Sequence, residues 1–428
     1  MKFQPKIWHL LLFFWITIII FRFDLLIELV VLWARYFLLF ISDFKSAMQL
    51  LDFSLIDAIL SVKLFIIIPT ILFLFRKNNL WLKSSLNFSS LTLVLLLLAF
   101  IFAPIITNEN PEFQKDLKMT KLLAPLSSVK VLHLNKKENA QKSSLEKFIN
   151  YKNKIIKPSY NEDIIFVNNV EVKSDHIIYS QKNLQKEINI SDVQIKNGIP
   201  FVTSKIFILG TDEFGRDIFT RLIYGARISL LVGIGAVVVS LFMGLSFGFI
   251  AGFKGGFIDT IFSRLTDLFL AFPIIYFIVL ILALFGNSLL SVIIVLGLSG
   301  WMGLFKIVKS EVLAEKNKDY ILTAGMLGQT NRKILTKEIL PVIFVPIVVN
   351  IVFQFSNVIL AESALSYLGL GTGNSYPSWG AMIESGQRYI MKAWWMISFP
   401  GLILIATLFS ANDFGKRLNE TINPGIQK

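Results

Sequence analysis

Cysteine is absent from this 428-residue chain, and histidine occurs only three times, as His9, His133 and His176. Without cysteine there is no disulfide framework, no haem attachment and no thiolate zinc site. Three histidines so widely scattered suggest no metal site, and none is assigned. No Gly-x-x-x-x-Gly-Lys-Ser/Thr run occurs anywhere, so the chain does not cradle ATP in a phosphate loop. No Ser/His/Asp set stands at a plausible catalytic spacing, so no catalytic residue is assigned and the chain is not expected to be an enzyme. Acidic side chains are also scarce in the later apolar runs, where ion-coupled transporters usually carry them.

What is abundant is hydrocarbon. The chain is 54% hydrophobic and holds 39 phenylalanines, a composition foreign to ordinary soluble domains. Several runs approach or exceed the roughly 20 apolar residues that cross a bilayer. The net charge of +13 could suggest a nucleic-acid partner. On a membrane protein it more economically reports Lys and Arg in cytoplasmic loops, and no nucleic acid is expected. The expected fold class is therefore an all-α, multi-pass integral membrane protein.

Residues 1–87 form an N-terminal membrane region with candidate spans at Trp8–Phe21, Leu25–Ile41 and Ile59–Phe75. Lys2 and Lys6 precede an apolar run as in a signal peptide, but no small-residue cleavage site follows. Arg76, Lys77 and Lys83 mark the end of this region as cytoplasmic, which three crossings from a cytoplasmic start would forbid. Two crossings plus an interfacial or merged segment are expected. Glu28 and Arg35, charges within the second run, either serve a function or else snorkel or face a partner helix, the latter being preferred. Residues 88–106 hold a clean span. Residues 107–205 are polar and Lys-rich, with alternating segments at 164–172 and 176–179 that read as short strands. They are expected to form a small α+β or β-rich insertion on the outer face, a spacer or docking elaboration.

Next comes Leu209-Gly-Thr-Asp-Glu-Phe-Gly-Arg-Asp-Ile-Phe-Thr-Arg-Leu-Ile-Tyr-Gly-Ala-Arg-Ile-Ser-Leu230. Gly210 and Gly215 permit tight turns. Asp212, Arg216 and Asp217 can pair among themselves, and Asp217 with Arg221 is an (i, i+4) pair on an emerging helix. In the next span Gly244, Gly248 and Gly252 recur every four residues, leaving a bare face for a neighbouring helix. Residues 254–264 read as a short basic loop. Pro273 invites a kink in the span after it, which could serve a moving gate or be carried passively. Beyond a further span, residues 306–341 read as a basic cytoplasmic loop. Within it Asp319-Tyr-Ile-Leu-Thr-Ala-Gly-Met-Leu-Gly328 forms a short amphipathic helix stopped by Gly328, followed by a second short helix that Thr330 or Asn331 caps. Near the outer end of the next apolar run, Glu362 is a lone acid that either touches substrate or bonds across helices, the second being favoured. The tryptophans at Trp379, Trp394 and Trp395 read as an interfacial belt.

Three strings carry a family resemblance. The 209–230 segment, including Gly210, Thr211, Asp212, Gly215, Arg216, Asp217, Arg221, Gly225 and Arg227, is similar to the stretch before the second core helix of dipeptide, oligopeptide and nickel ABC permeases, C-type subunit. Ala361-Glu-Ser-Ala-Leu-Ser-Tyr-Leu-Gly-Leu-Gly371 and Pro377-Ser-Trp-Gly-Ala-Met382 resemble the same family. The stretch Asp319–Pro341 looks like its ATPase-coupling loop, keeping Ala324, Gly328, Leu340 and Pro341, with Asp319, Tyr320 and Leu327 around them. It departs from the family pattern with Leu322 and Thr323 where the pattern has Glu-Ala. The resemblance covers residues 88–106 and 206–424, the second range being the permease core domain, and leaves 1–87 and most of 107–205 as additions. It implies a type I ABC importer transmembrane domain of about six core helices in a bacterial inner membrane. It further implies a heterodimeric second permease, two ATPases that hold the ATP and magnesium, an extracytoplasmic substrate-binding protein, and no cofactor in this chain. Peptide is preferred over nickel as cargo; a secondary transporter or a membrane scaffold are the readings from other classes.

Overall fold

The computed structural model describes residues 6–74, 86–107, 109–135, 144–156, 163–173, 176–371 and 377–422. Two compact units form, one from residues 1–87, 94–227 and 385–400, the other from 88–93, 228–384 and 401–428. Among the described residues seven helices are long and apolar enough to cross a membrane, and a bent pair could provide an eighth crossing.

In the first unit, α1 (Ile7–Ser42), α2 (Phe44–Leu50) and α3 (Phe53–Leu74) lead into α4 (Phe88–Ile106). The two spans expected at 8–21 and 25–41 are one helix of 36 residues, broken only at Arg22, whose φ of −130° and ψ of 19° leave the helical region. The Arg22 guanidinium donates to the carbonyl of Ile106 at 2.9 Å, covering a backbone acceptor that the end of α4 leaves open. With α1 merged, the N-terminal region offers two candidate crossings, α1 and α3. Two crossings would put both ends of this region on the same side of the membrane, the arrangement expected from its basic residues; Arg76, Lys77 and Lys83 themselves lie outside the described residues.

Among its described residues the insertion holds α5 (Ser144–Ile155) and eight short strands: β1 (Ser127–His133), β2 (Ile164–Val167), β3 (Val170–Val172), β4 (His176–Gln181), β5 (Leu184–Asn189), β6 (Ile195–Lys196), β7 (Ile199–Pro200) and β8 (Val202–Phe207). They pair antiparallel as sheets β2-β1-β8 and β3-β4-β5 and a β6-β7 hairpin. Two small cores close the sheets, one around Val129, Val131, Phe166 and Phe207, the other around Leu132, Val167, Ile177 and Val193. Apolar residues on β1 feed both, since alternate side chains leave a strand on opposite faces.

α6 (Ile218–Lys254) follows the insertion. In the second unit its later turns pack on α9 (Leu289–Lys316), and Gly244, Gly248 and Gly252 meet Leu304, Val308 and Val312 in succession. The expected basic loop at 254–264 is instead the start of α7 (Gly256–Ala271), because Gly255 and Gly256, at φ +66° and +58°, turn the chain within two residues. Asp259 then pairs with Lys309 of α9. α7 and α8 (Ile274–Phe285) meet at Pro273 with an 89° bend, far sharper than a kink, so the expected single span is two helices. α10 (Asp319–Met326) precedes α11 (Asn331–Tyr367), which runs unbroken through a π-helical stretch at Ile334–Ile339. α12 (Trp379–Gln387) and α13 (Trp395–Ile422) complete the chain.

A Cβ added at Gly248 would lie 2.7 Å from the Cβ of Val308, whereas one at Gly303 would meet nothing within 4 Å. Gly248→Leu should therefore cost about 1–3 kcal/mol through overpacking, read as a lowered thermal midpoint in detergent, with Gly303→Ala leaving the midpoint in place.

Candidate functional site

At the basic end of the second unit the stretch expected to be a coupling loop is shorter than its sequence suggests. Residues 306–316 finish α9 and residues 331–341 begin α11, so Leu340 and Pro341 lie inside a continuous helix rather than closing a loop. Pro341 has no N–H to give the helix ladder, and it comes just after the π-helical stretch Ile334–Ile339, where the regular i→i−4 pattern already gives way. What hangs between the two long helices is α10 and one turn.

α10 starts with Asp319 in its first turn, where a negative charge favours the helix N-terminus. It stops in a two-bond Schellman closure. Gln329 N–H donates to Ala324 O at 3.1 Å and Gly328 N–H to Gly325 O at 3.0 Å. Gly328 sits at φ +79° with open space around it, so its requirement is conformational and not steric. Thr330 then accepts from Lys333 N–H at 3.4 Å as the cap of α11. Ile321 and Ala324 are buried with Val308, Val312, Ile334, Ile339 and Ile343, which fixes the helix to both neighbours.

Glu315, buried at the end of α9, was not singled out from sequence. It accepts from Lys318 at 2.6 Å and from the Tyr320 hydroxyl at 2.7 Å. The hydrogen bond to Glu315, with burial, pushes the Tyr320 hydroxyl up to about 12, so it stays a donor throughout the usable pH range. This lock stands beside the departure at Leu322 and Thr323. Leu322 is exposed, and Thr323 turns its hydroxyl onto the Asp319 carbonyl. Met326 and Leu327 are 86% and 78% exposed. The face α10 turns outward is thus apolar.

In the first unit the 209–230 string forms a buried ionic knot. Gly210 and Gly215 take φ +80° and +71°, and a side chain on Gly215 would overlap Thr120. Thr211 is fully buried and accepts from Leu123 N–H at 2.8 Å. Asp212 holds Arg216 at 2.7 Å, as expected. The expected Asp217–Arg221 pair does not form. Asp217 instead caps α6, accepting from the Thr220 N–H and hydroxyl at 2.9 and 2.6 Å, because four free N–H groups at a helix start compete for the nearest acceptor. Arg221 turns to Glu112 at 2.5 Å, which also takes Arg216 at 2.6 Å. Burial by itself would lower Arg216, but Asp212 and Glu112 outweigh it and raise the guanidinium. Burial raises both Asp217 and Glu213.

Gly225 is buried within α6, and one turn on from Tyr224 comes Arg227. Its Nε donates to Phe100 O at 2.6 Å and Nη2 to Ile101 O at 2.9 Å, while Nη1 pairs with Asp57 of α3. Pro104 has no N–H to give Phe100, and Phe102 leaves helical geometry; Arg227 reseals the backbone acceptors this opens.

The two remaining candidates are Glu362 and Pro273, the first buried and the second exposed. Glu362 is fully buried on α11, accepting from Ser366 at 2.7 Å and Ser229 at 3.4 Å. Pro273 sits in the α7–α8 bend. Trp379 and Trp395 are buried rather than forming a belt, and Trp395 donates to Thr211 O at 3.1 Å; Trp394 alone of the three is exposed.

Residues 244–428 match the family described as binding-protein-dependent transport system inner membrane component. The Di/tripeptide transport system permease protein DppC of Pseudomonas aeruginosa is 35% identical over 221 residues, 52% of this chain and 73% of that protein. The chain belongs to this permease family. The Dipeptide transport system permease protein DppC of Bacillus subtilis is 37% identical over 51% of this chain and 69% of its own. The Oligopeptide transport system permease protein OppC of Haemophilus influenzae is 36% identical over 50% and 69%. This permease is thus the membrane-embedded component of an ABC importer, not itself an enzyme, and an inner-membrane protein. The family's partners include an ATPase and a substrate-binding protein.

Glu112→Gln would leave Arg216 and Arg221 sharing the single charge of Asp212. We expect about 1–3 kcal/mol of destabilisation, read as a lower thermal midpoint of the purified permease.

Proposed function

We propose that this permease is one half of a heterodimeric pore that imports di- or oligopeptides, driven by two partner ATPases that bind ATP and magnesium. The cargo class follows the peptide permeases it resembles, and an extracytoplasmic protein would deliver it. The observation that carries the reading is α10, a rigidly capped helix whose outward face is hydrocarbon although it stands on a basic, water-facing end.

Leu322, Met326 and Leu327 are exposed there beside Tyr320. Each apolar side chain of this size gains about 1.5–3 kcal/mol on full burial, so the knob suits a groove on a partner. Arg332, Lys333 and Lys337 flank it and suit an acidic rim. In this reading ATP binding closes the ATPases and displaces α10. The displacement reaches the membrane because Ile321 and Ala324 are packed against α9 and α11, and the Glu315–Tyr320 bond ties α10 to α9. The pore then alternates between inward- and outward-open states, with the α7–α8 bend at Pro273 as a hinge. Glu362, enclosed by serines, holds α11 to α6 in this scheme and does not meet cargo.

Gly328→Pro removes the N–H that closes α10 and forbids φ +79°. It should leave expression intact, reduce peptide uptake at least about tenfold, and strip the ATPase of its response to the loaded binding protein. Normal uptake at normal expression would overturn the coupling assignment. A tagged chain in mild detergent should also recover an ATPase and a second permease.

A further inference from the structure

The two parts of the chain outside the permease resemblance, the N-terminal helices and the 107–205 insertion, touch one another. α5 of the insertion is amphipathic, and its inward side lies along the second half of α1. Phe148 is buried with Leu29, Leu32, Leu55 and Ala58 of α1 and α3 in a single apolar core. Around it, the Arg35 guanidinium stands 4.2 Å over the ring of Tyr151, and Tyr36 and Phe148 rings are 6.0 Å apart. Lys154 pairs with Glu28 at 2.7 Å and Lys152 with Asp52. Glu28 and Arg35, awkward as charges within an apolar run, therefore face partners supplied by the insertion. A second seam joins α3 to the family motif, where Asp57 is the counter-ion of Arg227.

We propose that residues 7–74 are the membrane foot of the insertion, so that the two additions are one accessory module built from separate segments of chain. α1 and α3 anchor it in the bilayer, α5 clips the insertion to them, and Asp57–Arg227 ties it to the start of α6. The foot holds the insertion's sheets in one pose at the outer surface. Its further consequence, that the pose serves docking of the extracytoplasmic binding protein, rests on the function proposed above. An even number of added crossings leaves the orientation of every later helix unchanged, so such a module can be added to a permease without inverting it.

The test uses the full chain in membrane vesicles and needs no partner. Phe148→Asp puts a charge into the seam without touching the permease motif. Trypsin cleavage at Lys147, Lys152 and Lys154 should then accelerate roughly tenfold, since cleavage follows the population of the opened form. Glu28→Lys and Lys154→Glu should each accelerate cleavage at Lys147 and Lys152 more weakly, and the two together should restore protection at those two sites. Unchanged cleavage in Phe148→Asp, or no recovery in the double charge swap, would overturn the proposal. In the assembled importer, Phe148→Asp should raise the concentration of loaded binding protein needed for half-maximal uptake and leave basal ATP hydrolysis unchanged. Altered proteolysis with unchanged binding-protein dependence would keep the module and reject its docking role. Absence of any binding-protein response in the unmodified importer would count against the transport reading alone.

Discussion

A bilayer offers no water to an open backbone carbonyl, so every break in a membrane helix must be closed from within the protein. That constraint explains where the permease motif spends its charges. Pro104 and the distortion at Phe102 open acceptors on α4, and Arg227 reaches from α6 to close two of them. Arg22, at the one distorted residue of α1, covers the terminal carbonyl of the same helix. Neither arginine is free to meet a solute. Their counter-ions follow from the same logic, since a guanidinium withdrawn from water needs a carboxylate beside it, and Asp57 takes that place for Arg227.

Much of this was legible in the residues, and the boundary of legibility is physical. Gly328, Thr330 and the four-residue glycine repeat act through their own local backbone, so spacing along the chain was enough to assign them. The ionic knot was not: Glu112 lies about a hundred residues before the arginines it binds, and no periodicity connects them. Asp217 and Arg221 stand at ideal helical spacing, yet Asp217 is drawn to the helix N-terminus, where open N–H donors outbid an ion pair one turn away. Trp379 and Trp395 failed as a belt for a related reason. Composition places tryptophan near an interface, but only the fold decides whether a ring points at lipid or, as Trp395 does, at a backbone carbonyl.

Helices run on past the ends that composition suggests. Residues 254–264 and 306–316 are polar or basic and read as loops, but apart from the turn at Gly255 each is helix, and the short helix expected after Thr330 is the start of the 37-residue α11. Charge marks where a chain meets water and says little about whether the backbone has stopped coiling. The apolar positions that continue through these stretches, such as Ile334 and Ile339, carry the helix onward beneath the charged surface.

The continuity of α11 gives the permease a lever arm. Thirty-seven residues at about 1.5 Å each make a rod of roughly 55 Å, with α10 attached at its foot and Glu362 near its far end. Pivoting such a rod by about 5° swings the far end through about 5 Å, the rise of one helical turn. A loop in place of residues 331–341 would have absorbed that motion as slack. In the coupling proposed above, the wide π-turn at Ile334–Ile339 would be the point where the rod is grasped, so a change in the hydrogen-bond ladder there would alter how much of a small push at the basic surface arrives at the other end of α11.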